Sequence, residues 1–251
     1  MTTLEAIYVL AAGLAAGTIN GVIGSGTLIT FPVLLSLGYA PVVANVTNTV
    51  GLVPGSVAAV YGYRKRLRGH WRWALGFAAF SAMGALVGSI LLLELPASVF
   101  RVIVPVLIAV ALVLVAFQPR ISRAILERRS AAGTTPDGRA LRGGVGLTGV
   151  YGGYFGAAQG VLLFALLGTA LPEDLQRVNA LRNLLAGTAN GTAAIVFLLV
   201  ADVQPLAALL IAVGATAGGL LGARIGQRLS PTALRAAVVV VGLVAIVQVL
   251  R

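Results

Sequence analysis

No charged residue stands between Glu5 and Arg64. That run, Ala6–Tyr63, is 58 residues long. A membrane-spanning helix needs about 20 apolar residues, so this one stretch has length for roughly three crossings. Further charge-free windows follow at Trp73–Leu93, Val102–Gln118, Gly143–Pro172, Asn183–Ala201, Val203–Ala223 and Ala236–Leu250. Most are single spans by length. Gly143–Pro172, at 30 residues, is too long for one straight span and too short for two full ones. Both long windows are interrupted by glycine, and broken or hairpinned half-helices fit them best.

Composition agrees. Hydrophobic residues make up 59% and charged residues 10%, against roughly 25% charged in an average soluble domain. Mean hydropathy is +0.99. A single core of this size could not shelter so much apolar surface from water, which excludes a soluble enzyme, a disordered chain and a disulfide-stapled module. Cysteine is absent, so no thiolate nucleophile, disulfide or Cys-ligated metal site is available. His70, the only histidine, reads as an exposed loop residue. The N-terminus lacks the basic region of a signal peptide. Neither a cofactor nor a metal site is expected.

The net charge of +11 has a definite distribution. Basic residues fill the loops 64–72, 119–142 and 224–230, with Arg235 just beyond the last. The intervening loops, Glu94-Leu95-Pro96 and Ala201-Asp202-Val203, are poor in them. Short Lys/Arg-rich loops stay cytoplasmic, so the charge orients the chain in the cell membrane and does not indicate nucleic acid. Tyr61, Tyr63, Trp71 and Trp73 flank the first basic loop as interfacial aromatics do. The polar stretch Ser122–Gly138 is the one candidate linker.

The halves repeat at an offset of 130 to 135 residues. Gly17, Gly21 and Gly24 match Gly149, Gly153 and Gly156. Asn45, Asn48, Thr49 and Ser56 match Asn179, Arg182, Asn183 and Asn190. Gly84 and Gly88 match Gly214 and Gly218, and Pro96 and Arg101 match Pro231 and Arg235. Matched loops carry opposite charge character: 64–72 is basic where 201–204 is acidic, and the Glu94 loop answers to Arg224 and Arg228. The halves are therefore expected to lie inverted in the membrane, each with an odd number of crossings. The expected fold is an all-α polytopic membrane protein with two inverted repeats, each a broken helical hairpin plus three transmembrane helices. The hairpins are placed at Leu4–Leu37 and Gly143–Leu171, as two short helices each, giving ten segments. The units are residues 1–118 and 143–251, joined by a cytoplasmic basic linker, 119–142. Parallel repeats would put Arg224 and Arg228 outside, against the charge rule.

Asn45, Asn48/Thr49, Leu52 and Ser56 recur at helical spacing and draw a narrow polar stripe. Asn179, Arg182/Asn183, Ala186 and Asn190 draw a second one. In hydrocarbon such groups must meet partners or water. Interhelical hydrogen bonding accounts for single Asn and Thr residues; two matched stripes suggest a shared central site. Arg182 heads an uncharged stretch of 19 residues. It is either an interfacial topology charge beside Arg177 or a buried cation facing a cavity. No carboxylate within the membrane windows can neutralise it, and its planar fork of donors suits an oxoanion. The glycine-rich stretches Gly21–Thr27 and Gly152–Gly160 break the hairpins, let the backbone approach a ligand and aim helix N-termini inward. Discontinuous helices from two repeats recur as transporter binding sites. No Lys-Ser/Thr follows Gly21–Thr27, so a nucleotide loop is a poor reading. The pairs Gly84/Gly88 and Gly214/Gly218 have the G-x-x-x-G spacing of close helix packing.

At these residues the sequence resembles the sulfite exporter TauE/SafE family, also called toluene sulfonate uptake permeases. The likeness covers nearly the whole chain. It is carried by Gly17–Gly26 with Phe31-Pro32, by Ala44–Asn48, Val53–Ser56 and Tyr61–Arg64, and by Gly149–Gly160 and Asn179–Asn190. In the second half Gly156-Ala157-Ala158-Gln159-Gly160 replaces the family's usual run of glycines. The resemblance implies sulfite, an organosulfonate or a related sulfur-containing or organic anion as substrate.

The sequence-based expectation is thus a secondary transporter moving a small anion by alternating access, not an enzyme. Arg182 is expected to pair with the anion. Hydrogen bonds are expected from Asn20, Ser25, Thr27, Asn45, Asn48 and Thr49 in the first half. Gln159, Asn179, Asn183 and Asn190 are expected to supply them in the second, with Gly24 and Gly26 permitting close approach. The lipid bilayer and the small anion are the expected partners, and a homodimer is compatible. An anion channel would use the same stripes. A membrane-embedded lipid-handling protein would need an acid–base or metal cluster, which the windows lack.

Overall fold

Inside a bilayer every backbone N–H and C=O must find a partner within the protein, which leaves helices as the economical solution for long apolar runs. The computed structural model describes residues 1–131, 138–171 and 173–225, and beyond them only positions 236, 239, 240 and 243. These form α1 (Thr3–Val22), α2 (Thr27–Ser36), α3 (Pro41–Tyr63), α4 (Trp71–Glu94), α5 (Ala97–Ala131), α6 (Gly138–Tyr154), α7 (Gln159–Ala170), α8 (Leu175–Val200) and α9 (Pro205–Ile225). A 3-10 turn, Arg64–Leu67, follows α3. Among the described residues there is no strand.

Local chemistry sets several starts. Thr2 and Glu5 form a reciprocal capping box on α1. Pro41 occupies the first turn of α3, where its missing N–H costs nothing. Asp174 caps α8 by accepting from the Gln176 and Arg177 amides, both at 2.9 Å. Among the described residues six helices (α1, α3, α4, α5, α8 and α9) are long and apolar enough to cross a membrane. The outward surface is apolar: Leu4, Val102, Leu147 and Leu199 are among many exposed large side chains. Buried positions include Asn45, Asn48, Gln159, Arg182 and Asn183. This distribution, oily outside and polar within, is that of a multi-pass membrane protein.

The breaks expected near Gly21–Thr27 and Gly152–Gly160 are present at residues 23–26 and 155–158. The opening helices are longer than expected, however. α1 has 20 residues and α6 has 17; only α2 and α7, at 10 and 12, are short. The helix simply continues until glycine permits the turn. The linker is also more helical than expected, because α5 runs on to Ala131 and α6 begins at Gly138. Arg120, Arg123 and Glu127 are tolerable helix residues, so the polar composition there marks an exit from hydrocarbon and not a loss of helix. Pro172, Arg228, Pro231 and Arg235 lie outside the described residues, as do most of loop 224–230 and of the last window, 236–250.

Register gives the helix directions. Gly51, Gly55 and Gly62 of α3 face Ala208, Ala215 and Ala223 of α9 in rising order, so these helices are parallel. Gly13 and Gly17 of α1 face Ile211 and Ala215 of α9 likewise. Gly84 and Gly88 of α4 lie against Gly146 and Val150 of α6, again in rising order. α3 and α8 run oppositely. Thr47, early in α3, accepts from the Gln204 amide just past α8 at 3.1 Å, whereas Arg66, just past α3, accepts from Arg177 Nε in the first turn of α8 at 3.3 Å. The contacts of α1 with α9 repeat those of α6 with α4. In this register Gly84 on Gly146 corresponds to Gly218 on Leu14, and Gly88 on Val150 to Gly222 on Thr18. The partners of Gly84 and Gly88 are thus one turn beyond Gly214 and Gly218. Three glycines at four-residue spacing in α9 let a sequence match slip by a turn unnoticed.

Candidate functional site

Arg182 sits two turns into α8 and is 1% exposed. Its Nη2 donates to the carbonyl oxygens of Gly21 at 3.1 Å and Asn20 at 3.5 Å, and approaches Asn183 Oδ1 at 3.4 Å. Those carbonyls belong to the last turn of α1, where helical acceptors lack partners and the dipole end is negative. Arg182 is therefore a buried cation held by a helix C-terminus. Its Nε has no partner. The ion pairs found among the described residues join Arg177 to Glu173 and Asp174; none reaches Arg182. Beside it, the Asn183 amide donates to Asn179 O at 3.0 Å and to Gly21 O at 3.4 Å.

The two breaks meet at this point. Gly160 N–H donates to Gly24 C=O at 3.1 Å, a backbone bond between the halves. Gly24 has φ +86°, and a Cβ placed there would lie 2.6 Å from Gly160 Cα. Only glycine fits both the left-handed backbone and the contact. The Arg182 guanidinium packs against the seam: its Nη1 lies 3.1 Å from where a Gly160 Cβ would be. One N–H expected to be free at the start of α7 is thus committed to the opposite break.

A cavity of about 260 Å³ adjoins Arg182, lined also by Val22, Tyr63, Gln118, Phe164, Gln176 and Asn179. It lies at the end of the molecule carrying loop 64–72, since Tyr63 directly precedes Arg64. Away from that end, Phe155 of the second break is buried edge-on to Phe31 (centroids 5.3 Å) and Phe100 (6.2 Å), and Tyr154 adds to Phe100 at 5.8 Å. These rings close the side toward Glu94. The site is polar and open on one side, aromatic and shut on the other.

The remaining expected site residues divide. Asn20 reaches Ser56 Oγ at 3.5 Å, across from α1 to α3. Asn45 Nδ2 donates to Tyr154 O at 3.0 Å, while its Oδ1 is buried without a partner, as is Ser25 Oγ. Asn48 accepts from the Thr30 hydroxyl and donates to Thr27 Oγ1 at 3.4 Å, tying α2 to α3. The Thr49 hydroxyl bonds Asn45 O within its own helix, and Gln159 donates to Thr148 O at 3.0 Å. Asn190 stands near Gly156. Gly26 starts α2, where a Cβ would meet Ala16 O at 2.6 Å. The structure so gathers Arg182, Asn183, Asn20, Gly24 and Asn179 around one point and gives Asn48, Thr27, Thr49 and Gln159 partners within their own half. Thr30, Gly160, Gln118 and the Phe31–Phe100–Phe155 cluster are additions. Thr30 was legible as the residue one turn after Thr27; the aromatic cluster was not, since its members lie far apart in sequence. These residues offer hydrogen bonds and one fixed charge, which is recognition chemistry.

Comparisons with known proteins place the chain in a family. The family model described as Sulfite exporter TauE/SafE matches residues 9–249. The protein from Escherichia coli (strain K12) named "Probable membrane transporter protein YfcA" is 30% identical over 215 residues, covering 85% of this chain and 76% of that one. A "Probable membrane transporter protein" from Haemophilus influenzae is 26% identical over 235 residues, covering 91% of this chain and 88% of that one. No solved structure matches. These names indicate membrane transport and not an enzyme. With its apolar multi-helix exterior and polar centre, the chain belongs to the sulfite exporter TauE/SafE family of membrane transporters.

Proposed function

We propose that this transporter moves a small anion, such as sulfite, an organosulfonate or a related organic anion, across the cell membrane by alternating access. The observation that carries the reading is Arg182: a buried guanidinium with no acidic partner among the described residues, an unpaired Nε, and a cavity at its side that Gln118, Gln176 and Asn179 help to line. An anion entering the cavity would meet Arg182 first, with Asn179 and Gln176 as hydrogen-bond donors. A guanidinium bond to an anion is roughly twice as strong as one to a neutral acceptor, so the anion competes with the Asn20 and Gly21 carbonyls for the same donors. Losing Arg182 frees the end of α1 and loosens the Gly24–Gly160 seam. The anion thereby drives the rearrangement through its differential affinity for the two states.

The topology proposed with it is two inverted repeats, with loops 64–72, 119–142 and 224–230 in the cytoplasm. The opposed directions of α3 and α8, and the repeated contacts of α1/α9 and α6/α4, support it. On this reading the cavity faces the cytoplasm and the phenylalanine cluster seals the outer side. The test is flux of radiolabelled sulfite and a small sulfonate into proteoliposomes. Saturable uptake that falls roughly a hundredfold in Arg182→Gln, as expected for losing a charge-assisted bidentate contact, supports the proposal. Unchanged flux in a folded variant removes Arg182 from the mechanism, and single-channel conductance in place of saturation makes the protein a channel.

A further inference from the structure

A second cavity, of about 190 Å³, lies between the starts of α4 and α6 and is lined by Arg72, Trp73, Gly76, Phe77 and Arg142. Two features call for an anion there. Arg72 and Arg142 stand on different helices, α4 and α6, both are exposed, and neither has an acidic partner among the described residues. Arg72 also sits in the first turn of α4, which holds no acidic residue and no side-chain cap. A cation at the positive end of a helix dipole is unfavourable unless an anion joins it.

The surroundings select the kind of anion. Trp73 packs edge-on to Phe77 at 5.2 Å, and Arg142 lies over the Phe80 ring at 5.9 Å. Such aromatic–cation sets mark the headgroup level of a bilayer. A Cβ at Gly76 would meet nothing within 4 Å, so the floor is open. The same two helices carry exposed apolar side chains: Leu75 and Met83 of α4 and Leu147 of α6 are 55%, 63% and 73% exposed. A free anion has no use for them; an acyl chain does.

We propose that Arg72 and Arg142 clasp the phosphate of an anionic phospholipid over Gly76, with its acyl chain lying along Leu75, Met83 and Leu147. The bound lipid bridges α4 and α6, and so joins the two halves at the basic end. This site is separate from Arg182 and does not depend on the transport reading.

The test is native mass spectrometry of the full-length protein in detergent, titrated with phosphatidylglycerol or phosphatidylethanolamine. With the protein in detergent, an arginine in direct contact with the lipid phosphate contributes about fivefold to its retention, and one without that contact contributes little. The double variant Arg72→Ala/Arg142→Ala is expected to weaken phosphatidylglycerol retention by about twentyfold or more. The control Arg66→Ala/Arg68→Ala, with the same charge change in the same loop, is expected to lose less than about threefold. Gly76→Leu fills the floor at unchanged charge and should also lose retention, while eluting as wild type on size exclusion. Equal losses in the two double variants, full retention in Gly76→Leu, or equal retention of the two lipids would overturn the proposal. So would inorganic phosphate displacing phosphatidylglycerol at matched concentration, which would make this a free-anion site.

Discussion

The two helix breaks occupy corresponding places in the two halves and have acquired opposite chemistry. Around Ile23-Gly24-Ser25-Gly26 stand a buried arginine, two asparagines and a cavity of about 260 Å³. Around Phe155-Gly156-Ala157-Ala158 stand three phenylalanines in edge contact. The backbone geometry is similar, with Gly24 at φ +86° and Gly156 at φ +74°. What differs is what the neighbouring helices send in: Arg182 and Asn183 from α8 to the first break, Asn45 from α3 and Phe100 from α5 to the second. A repeated scaffold fixes the positions of a site, and side chains from the other half decide whether each position binds or seals.

Several substitutions would break or sharpen that contrast. The largest effect is expected at Arg182, where Arg182→Ala should lower proteoliposome flux by two orders of magnitude or more, and Arg182→Lys should restore little because a point charge cannot replace the fork. The second break should tolerate no comparable loss of charge, since it has none. Phe155→Ala should cost about 3–5 kcal/mol by leaving a cavity in a packed cluster, seen as a lower melting temperature. Its transport signature should be leak without saturation, opposite in sign to Arg182→Ala. Gly24→Ala places a methyl group against Gly160 and forces a left-handed alanine, at about 1–2 kcal/mol for the backbone alone. Flux should drop at least tenfold, whereas Gly38→Ala, also at positive φ but with no atom within 4 Å, should affect stability only. The smallest effect is expected at Asn48→Ala, which leaves Thr27 and Thr30 to find other partners. About 1–2 kcal/mol of stability should be lost, with flux per folded molecule within about threefold of wild type.

The absence of cysteine allows a direct check of the two sides. Asn179→Cys in the cavity should react with a membrane-impermeant thiol reagent from the side of loop 64–72. Phe31→Cys, in the sealed cluster, should be protected from both sides until transport substrate is supplied. Labelling of Asn179→Cys from the side of Glu94 would reverse the assignment of open and closed faces.

Much of this was legible along the chain because the bilayer is a severe solvent. It forces backbone satisfaction within each segment, so charge-free windows give the spans and glycine runs give the breaks. Helix ends and the linker were less legible. Arg120 and Arg123 leave hydrocarbon without leaving the helix, and composition cannot separate the two. Arg182 stood out as a lone cation ahead of an apolar run. Its partners did not, because backbone carbonyls at the end of α1 carry no sequence signature.

The sequence by itself determined a membrane-spanning helical protein, two glycine breaks and a single cation that had to be explained. These follow from local rules of length, charge and glycine placement. Only the tertiary structure decided that the breaks touch through Gly24 and Gly160, that Arg182 is already solvated by Asn20 and Gly21 carbonyls, and that one break is polar while the other is plugged. Those facts depend on which face of each helix meets which neighbour. Side chains more than a hundred residues apart settle that by packing, and no local pattern encodes it.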